Sequence, residues 1–396
     1  MKTLKAYPGK FWKLCLACLL FFSSFTMVLP DLPVMLESIG GKDFKWLIIP
    51  SFAIIALLTR PFSGKLADTV GRVFVMMLGA VITMLACGLY IFIPIVSLFF
   101  INRAFHGFCA GFTPTGFTAY ADDIVPLEKR GEAMGIIGIC NNIGNAIGWV
   151  IGSKCTEVLG INSMFAIASG LGLIAVLIFA TLPETVKNKH SFSLSLLKLN
   201  RNELFEWRVL LPGLVMLLTA FTSGAILAII ADFTAFVGIS NKGLYMAIYI
   251  LSSLFIRFMA GRWSDQFGRK LIALLGSIAL FASMLTLAYA TDIVLYTISS
   301  VLFGVGFGLV SPSLFAWAVD LSLPGLKGKA VGTLFIFLEI GIILGSSIAG
   351  LIYNSDSNNF FLALFISALV TFVPVIILFR AMRLESKMKR LKRRHL

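Results

Sequence analysis

One short motif occurs twice in the sequence, and this repeat decides the fold. The first copy reads Gly64-Lys65-Leu66-Ala67-Asp68-Thr69-Val70-Gly71-Arg72, and the second reads Gly261-Arg262-Trp263-Ser264-Asp265-Gln266-Phe267-Gly268-Arg269. The matched Gly, Asp, Gly and Arg residues all lie 197 positions apart. The same offset pairs Gly79 with Gly276, Gly107 with Gly304, Gly111 with Gly308, Asp123 with Asp320, Gly144 with Gly341 and Gly148 with Gly345. An offset kept over this length indicates two related halves.

Long apolar runs surround both copies of the motif. Of the 396 residues, 58% are hydrophobic and 13% charged, whereas soluble chains average about 45–50% apolar and about 25% charged residues. A membrane helix needs about 20 apolar residues. Twelve such runs lie near residues 11–30, 46–62, 73–93, 97–120, 133–153, 163–182, 209–231, 243–260, 270–290, 293–317, 330–352 and 359–379. The sequence therefore predicts an all-α integral membrane protein with twelve transmembrane helices, and it excludes an ordinary soluble enzyme. A β-barrel would show short alternating segments instead.

The repeat divides the twelve spans into two pseudo-symmetric six-helix bundles. We predict an N-terminal bundle over 1–182, a cytoplasmic linker over 183–208, a C-terminal bundle over 209–380 and a basic cytoplasmic tail over 381–396. Each half has six spans and begins on the same side, so the halves should be related by an axis along the membrane normal. Two such bundles can enclose a cavity that opens to either side as they rock, which is a transporter architecture.

The net charge of +14 follows the predicted topology. Twenty-eight of the 33 Lys and Arg residues fall on the side that holds both termini, and four fall on the other. Basic residues mark cytoplasmic loops, so both termini are predicted to be cytoplasmic. Lipid headgroups then account for the positive charge without any nucleic acid. The short loops, with no Asn-x-Ser/Thr site in the sequence, favour a multi-pass protein of a bacterial cytoplasmic (inner) membrane.

Taken together, these features resemble the major facilitator superfamily, and most of all its drug:proton antiporter branch. The resemblance rests on the repeated motif, on Leu182-Pro183-Glu184-Thr185 after span six, and on Arg103-x-x-x-Gly107-x-x-x-Gly111 in span four. It implies secondary active transport of a small organic molecule, by proton-coupled export. Antiporters of the family usually carry a Gly-Pro pair in span five, whereas this chain reads Gly144-Asn-Ala-Ile-Gly148-Trp149. The alternative is therefore a proton-coupled importer of a sugar, organic acid or peptide-like solute.

The repeated motif is the predicted gating loop. It comprises Gly64, Asp68, Gly71, Arg72, Gly261, Asp265, Gly268 and Arg269. The resemblance implies that Asp68 lies against the start of span eleven, near Lys329 and Ala330. A negatively charged side chain is stabilised there by the positive end of the helix dipole. The alternative is a plain structural loop whose charges orient the protein.

Charged and polar residues inside the spans are the candidates for proton coupling or for lining the cavity. Arg103 lies in span four, with His106 on nearly the same face, and Glu339 lies about ten residues, or about 15 Å, into span eleven. The repeat pairs Glu339 with Asn142. Ionisable residues within a membrane are functional candidates by default. The alternatives are that Arg103 reaches the outer surface, that His106 forms a structural hydrogen bond, and that Glu339 is a neutral acid bonded to a neighbouring helix.

Two further acids lie at the outer ends of spans one and seven. Asp31 and Asp232 match with an offset of 201. Both could line the outer mouth of the central cavity or bind a cationic group. Both could equally lie at the membrane surface in contact with water. The predicted partners are a small-molecule substrate, protons and membrane lipids, and the chain is expected to be a monomer. No cofactor, metal or catalytic residue is predicted, because no hydrolase, metalloprotease or phosphate-binding motif occurs.

Overall fold

The chain is described by a computed structural model covering residues 7–126, 129–186, 205–323 and 327–394. The described residues form twelve helices of at least 18 residues and contain no strand. In chain order they are α1 (Gly9–Met27), α2 (Ile48–Thr69), α3 (Arg72–Leu89), α4 (Val96–Ile124), α5 (Arg130–Leu159), α6 (Ile161–Ala180), α7 (Leu210–Phe236), α8 (Leu244–Phe267), α9 (Arg269–Ala288), α10 (Ile293–Leu321), α11 (Lys327–Tyr353) and α12 (Phe360–Arg394). The predicted all-α membrane architecture is confirmed.

Eleven of these helices, within the described ranges, are long and apolar enough to cross a membrane. The remaining one is α4, which is 29 residues long and carries Arg103, His106, Asp122 and Asp123. At about 1.5 Å per residue α4 extends for about 43 Å, more than the thickness of a bilayer's hydrocarbon core. Length therefore suits α4 to span the membrane, and its polar side chains need burial within the protein.

The last helix is longer than the sequence suggested. Span twelve was expected to end near residue 379, followed by a separate tail, but α12 continues without a break from Phe360 to Arg394. The segment after residue 379 is rich in Arg, Lys, Leu, Met and Glu and contains neither Gly nor Pro. These residues favour helix intrinsically, so nothing in the local sequence ends α12 at the membrane surface.

The described residues form two compact units. The first lies within 1–200 and also includes Ser240–Ala247, and the second lies within 201–239 and 248–396. Equivalent helices pack in both: α1 on α5, α3 on α4 and α3 on α6 in the first, and α7 on α11, α9 on α10 and α9 on α12 in the second. Most of the predicted linker, residues 187–204, lies outside the described residues, and the bundle boundaries stay a prediction.

Glycines that match in sequence also match in their packing. A Cβ atom added at Gly107 would lie 2.6 Å from the carbonyl oxygen of Phe52, and one at Gly304 would lie 2.5 Å from that of Tyr249. The two contacted residues, Phe52 and Tyr249, are themselves 197 positions apart. Small residues at helix contacts allow two backbones to approach closely. The repeat in the sequence therefore encodes a repeat in helix packing.

The contact of α5 with α1 supplies a test of this packing. A Cβ at Gly148 would lie 2.6 Å from the carbonyl oxygen of Ser23, whereas one at Gly138, also in α5, meets no atom within 4 Å. We expect Gly148→Ala to destabilise the protein by about 1–3 kcal/mol, because an added methyl in a packed contact forces the backbones apart. The apparent Tm of purified protein should fall for Gly148→Ala and stay level or rise for Gly138→Ala. Equal Tm values for the two variants would contradict close packing at Gly148.

Candidate functional site

The predicted gating loop of the first unit is built around Arg72, at the start of α3. Its guanidinium pairs with Asp68 in the last turn of α2, and its Nε donates to Asp123 Oδ2, near the end of α4, at 3.2 Å. Gly71 between α2 and α3 has a φ of +151°. Residues with a Cβ atom rarely adopt this backbone conformation. The Asp68–Arg72–Asp123 group thus connects three helices at a turn that requires glycine.

Glu184 completes this group, and sequence reasoning missed that role. Its carboxylate accepts the backbone N–H of Arg72 at 2.9 Å and of Val73 at 3.1 Å. An acid at the positive end of a helix is favourable and satisfies backbone donors that α3 cannot use itself. Next to it, the Thr185 hydroxyl donates to Asp123 Oδ2 at 2.6 Å. The segment after α6 is therefore fastened onto the gating loop.

The second unit repeats the ion pairs around Arg269. Its guanidinium pairs with Asp265, and its Nε donates to Asp320 Oδ2 at 3.0 Å. Gly268 has a φ of +96° and takes the place of Gly71. The position matching Glu184 is Ala381. Here Lys270 pairs with Glu385 of α12 at 2.6 Å. The loop of the second unit is therefore held by an ion pair, whereas Glu184 holds that of the first through backbone N–H groups.

Arg103 is buried inside the first unit, and its side chain is only 1% exposed. Its Nε donates to the carbonyl oxygen of Ile48 at the start of α2, at 2.9 Å, and its guanidinium carbon lies 4.4 Å from the centre of the Phe52 ring. Nη1 has no hydrogen-bond partner among the described residues. Arg103 therefore does not reach the surface in this structure, and none of the ion pairs of the described residues includes it.

His106 lies one turn further along α4 and is fully buried. Three aromatic rings surround it, with ring centres at 5.6 Å for Phe25, 5.7 Å for Phe52 and 6.3 Å for Tyr90. Neither ring nitrogen has a hydrogen-bond partner among the described residues, so the structural hydrogen bond offered as an alternative role is not present here. Arg103 and His106 form one polar group inside an aromatic enclosure.

Glu339 and Asn142 belong to different units. Glu339 lies in the second unit on α11, twelve residues after the helix begins, and its side chain is 6% exposed. Asn142 lies in the first unit on α5 and is half-buried. Both are far from their helix ends, as the sequence indicated. Whether they face one cavity stays a prediction, as does the approach of Asp68 to the start of α11.

Asp31 and Asp232, the two acids predicted to lie at outer helix ends, differ more than their repeat suggested. Asp31 is 1% exposed and pairs with Lys242 Nζ at 2.7 Å. Asp232 accepts a hydrogen bond from the hydroxyl of Tyr353 at 3.0 Å. Asp31 is thus a buried partner of a lysine of this chain. Sequence patterns could not identify this lysine, because 211 residues separate the two.

Comparison with known proteins places this geometry in context. The family model described as Major Facilitator Superfamily matches residues 14–240 and, in a second match, 213–395. The Quinolone resistance protein NorA of Staphylococcus aureus is 25% identical over 344 residues, covering 85% of this chain and 87% of its own. The Multidrug resistance protein 1 of Bacillus subtilis is 25% identical over 348 residues, covering 85% and 88%. The crystal structure of the nucleoside transporter NupG shares the fold, with a TM-score of 0.77 at 16% identity, covering 94% of this chain and 99% of that one.

Proposed function

The chain belongs to the major facilitator superfamily of membrane transporters, and we propose that it exports a small organic molecule in exchange for protons. In this proposal two bundles rock about the substrate, which is exposed to each side of the membrane in turn. The bundles correspond to 1–182 and 209–380, and both termini lie in the cytoplasm. The substrate itself is a matter for experiment.

The observation that carries the proposal is the burial of charge in otherwise apolar helices. Arg103 in α4 and Glu339 in α11 are 1% and 6% exposed, and both lie well inside helices of membrane-spanning length. Ionisable groups in such places are costly and mark substrate or proton pathways. In this proposal Glu339 is the proton carrier of the second unit, and the cation of Arg103 in the first unit can attract an anionic group of a substrate.

Export is favoured over import by two kinds of support. The relatives are named for resistance to quinolones and to multiple drugs, and removal of a compound from the cell fits such names. The arginine motif of α4 resembles that of the family's proton-linked members, and the general shape of the sequence is most similar to the antiporter branch, whereas an importer could keep the gating-loop motif as well. Because α5 lacks the proline that antiporters of the family usually carry, a proton-coupled importer is the alternative that the experiment must distinguish.

Proteoliposomes with an imposed pH gradient test the proposal without any need to know the protein's orientation. A fluorescent quinolone serves as the first probe, followed by a panel of organic cations, anions and nucleosides. An antiporter accumulates substrate when the lumen is acidic, because outward proton flow drives uptake, and nigericin should abolish that uptake. Protein-free liposomes correct for passive trapping of weak bases. Accumulation only with an acidic exterior would support the importer, and uptake insensitive to the gradient would refute proton coupling.

A further inference from the structure

The segment Ser240–Ala247, between α7 and the body of α8, belongs to the first unit. The chain that precedes it, to Ile239, and the chain that follows it, from Ile248, belong to the second. Because the segment is covalently continuous with the second unit, any movement of one unit relative to the other must either carry it along or pull it away from its contacts.

Backbone contacts hold the segment on the end of α5. The side-chain amide of Asn241 donates to the carbonyl oxygen of Val150 at 3.3 Å, and the backbone N–H of Lys242 donates to the hydroxyl of Ser153 at 3.0 Å. Gly243 lies so close to this helix that an added Cβ would be 2.9 Å from the backbone nitrogen of Val150. Tyr245 in the same segment is fully buried as well, so the segment docks, and would release, as one piece.

An ion pair adds charge to these contacts. Lys242 Nζ lies 2.7 Å from Asp31 Oδ1, and the Asp31 side chain is 2% exposed against 23% for Lys242. Asp31 Oδ2 is buried and has no hydrogen-bond partner among the described residues. A buried carboxylate is strongly destabilised when its cation leaves. Asp31 therefore favours the docked segment and opposes its release.

We propose that Lys242 is a positioning residue of the transport cycle, whose pair with Asp31 latches the segment Ser240–Ala247 to the first unit and must part for the transporter to open at that end. The proposal rests on alternating access as the mechanism of transport. It assigns Asp31 a role different from binding a cationic substrate group, because a cation of the chain itself already occupies it in this state.

A second ion pair of the first unit provides a matched control. Lys45 pairs with Glu37 at 2.7 Å, between the end of α1 and the start of α2. Both partners lie within 27–48, so this pair cannot hold the segment Ser240–Ala247. Removing it deletes one ion pair from the same unit while leaving the latch intact.

The native Cys155 reports on the latch. Cys155 is half-buried and lines a cavity of about 410 Å³ that Val150 and Asn241 also line, so undocking of the segment should increase its exposure. The other five cysteines, Cys15, Cys18, Cys87, Cys109 and Cys140, are replaced by alanine. The labelling rate of Cys155 by a charged maleimide is then measured on the full chain in detergent. No substrate or pH gradient is needed, so the result is independent of whether the transport assay succeeds.

The main variant is Asp31→Asn with Lys242→Met, which removes both charges together and leaves no unpaired buried ion to unfold the protein. If the released state rises from about 10% of the molecules in the parent to most of them in the variant, the labelling rate should rise by up to about tenfold. The rise is smaller to the extent that the half-buried Cys155 already reacts in the docked state. Lys45→Ala and Lys242→Arg should label at the parent rate, the latter because arginine keeps the charge and its donors. A parent-like rate in the double variant would overturn the proposal. So would an equal rise in Lys45→Ala, which would indicate general loosening.

Discussion

Replacing Arg103 with methionine is expected to abolish proton-driven transport and, at the same time, to raise the apparent Tm of the protein. The two effects have opposite signs for a physical reason. Arg103 is a buried cation without an acidic partner among the described residues, and desolvating an ion costs several kcal/mol. A residue that destabilises the fold and is nevertheless present is best explained by its function.

The contacts of Arg103 offset only part of that cost, because the buried Nη1 has no hydrogen-bond partner among the described residues and adds to it. One hydrogen bond from a charged donor contributes about 1.5–3 kcal/mol, and stacking on the Phe52 ring contributes about 2 kcal/mol when desolvated. Removing the bond to Ile48 leaves its carbonyl oxygen satisfied, because the Ser51 hydroxyl donates to the same oxygen at 3.2 Å. Methionine has a similar length and a flexible side chain, so it can fill the space beside Phe52.

The measurement pairs proteoliposome transport with thermal unfolding of the same preparation. Arg103→Lys is the companion variant: it keeps the charge but lacks the Nε donor and the planar group that stacks on Phe52. We expect it to lose most transport without the gain in Tm. A lower Tm in Arg103→Met, with transport falling only as the folded fraction falls, would show that Arg103 is structural.

Sequence reasoning predicted the fold well because each membrane-spanning helix is encoded by a continuous stretch of sequence. Each span needs its own apolar run, and the repeated motif fixed which helices correspond. The repeat extends to side-chain contacts, since Asp68 pairs with Arg72 as Asp265 pairs with Arg269. These pairs were not predicted from the sequence, where the family resemblance placed Asp68 against the start of α11.

The contacts that sequence reasoning missed join residues far apart in the chain. Glu184 accepts the backbone N–H of Arg72 across 112 residues, and Lys242 pairs with Asp31 across 211. Asp123, which sequence analysis singled out only for its match with Asp320, bonds both Arg72 and Thr185. No periodicity or spacing encodes such partners. The offset of 197 between Asp123 and Asp320 was the one signal that could have identified the acids paired with Arg72 and Arg269.

Replacing Glu339 with glutamine is expected to uncouple transport from protons. Glutamine has nearly the same shape and can hydrogen-bond as a protonated acid does, but it cannot release a proton. Uptake driven by an acidic lumen should fall at least about tenfold, as for loss of a group required in the coupled step. Exchange of labelled for unlabelled substrate at equal pH on both sides should persist, because it needs the cavity and its alternation but no net proton movement.

The matched control is Glu206→Gln in the same unit. Glu206 is 7% exposed, almost as buried as Glu339 at 6%, but its carboxylate accepts the backbone N–H of Arg208 at 3.3 Å and so stabilises the turn before α7. Its substitution should leave proton-driven uptake intact, with at most a small loss of Tm. Proton-driven uptake unchanged in Glu339→Gln would remove this residue from the coupling mechanism. Loss of exchange together with uptake would instead mean that the carboxylate binds substrate or holds α11 in place, since an uncoupled transporter still alternates.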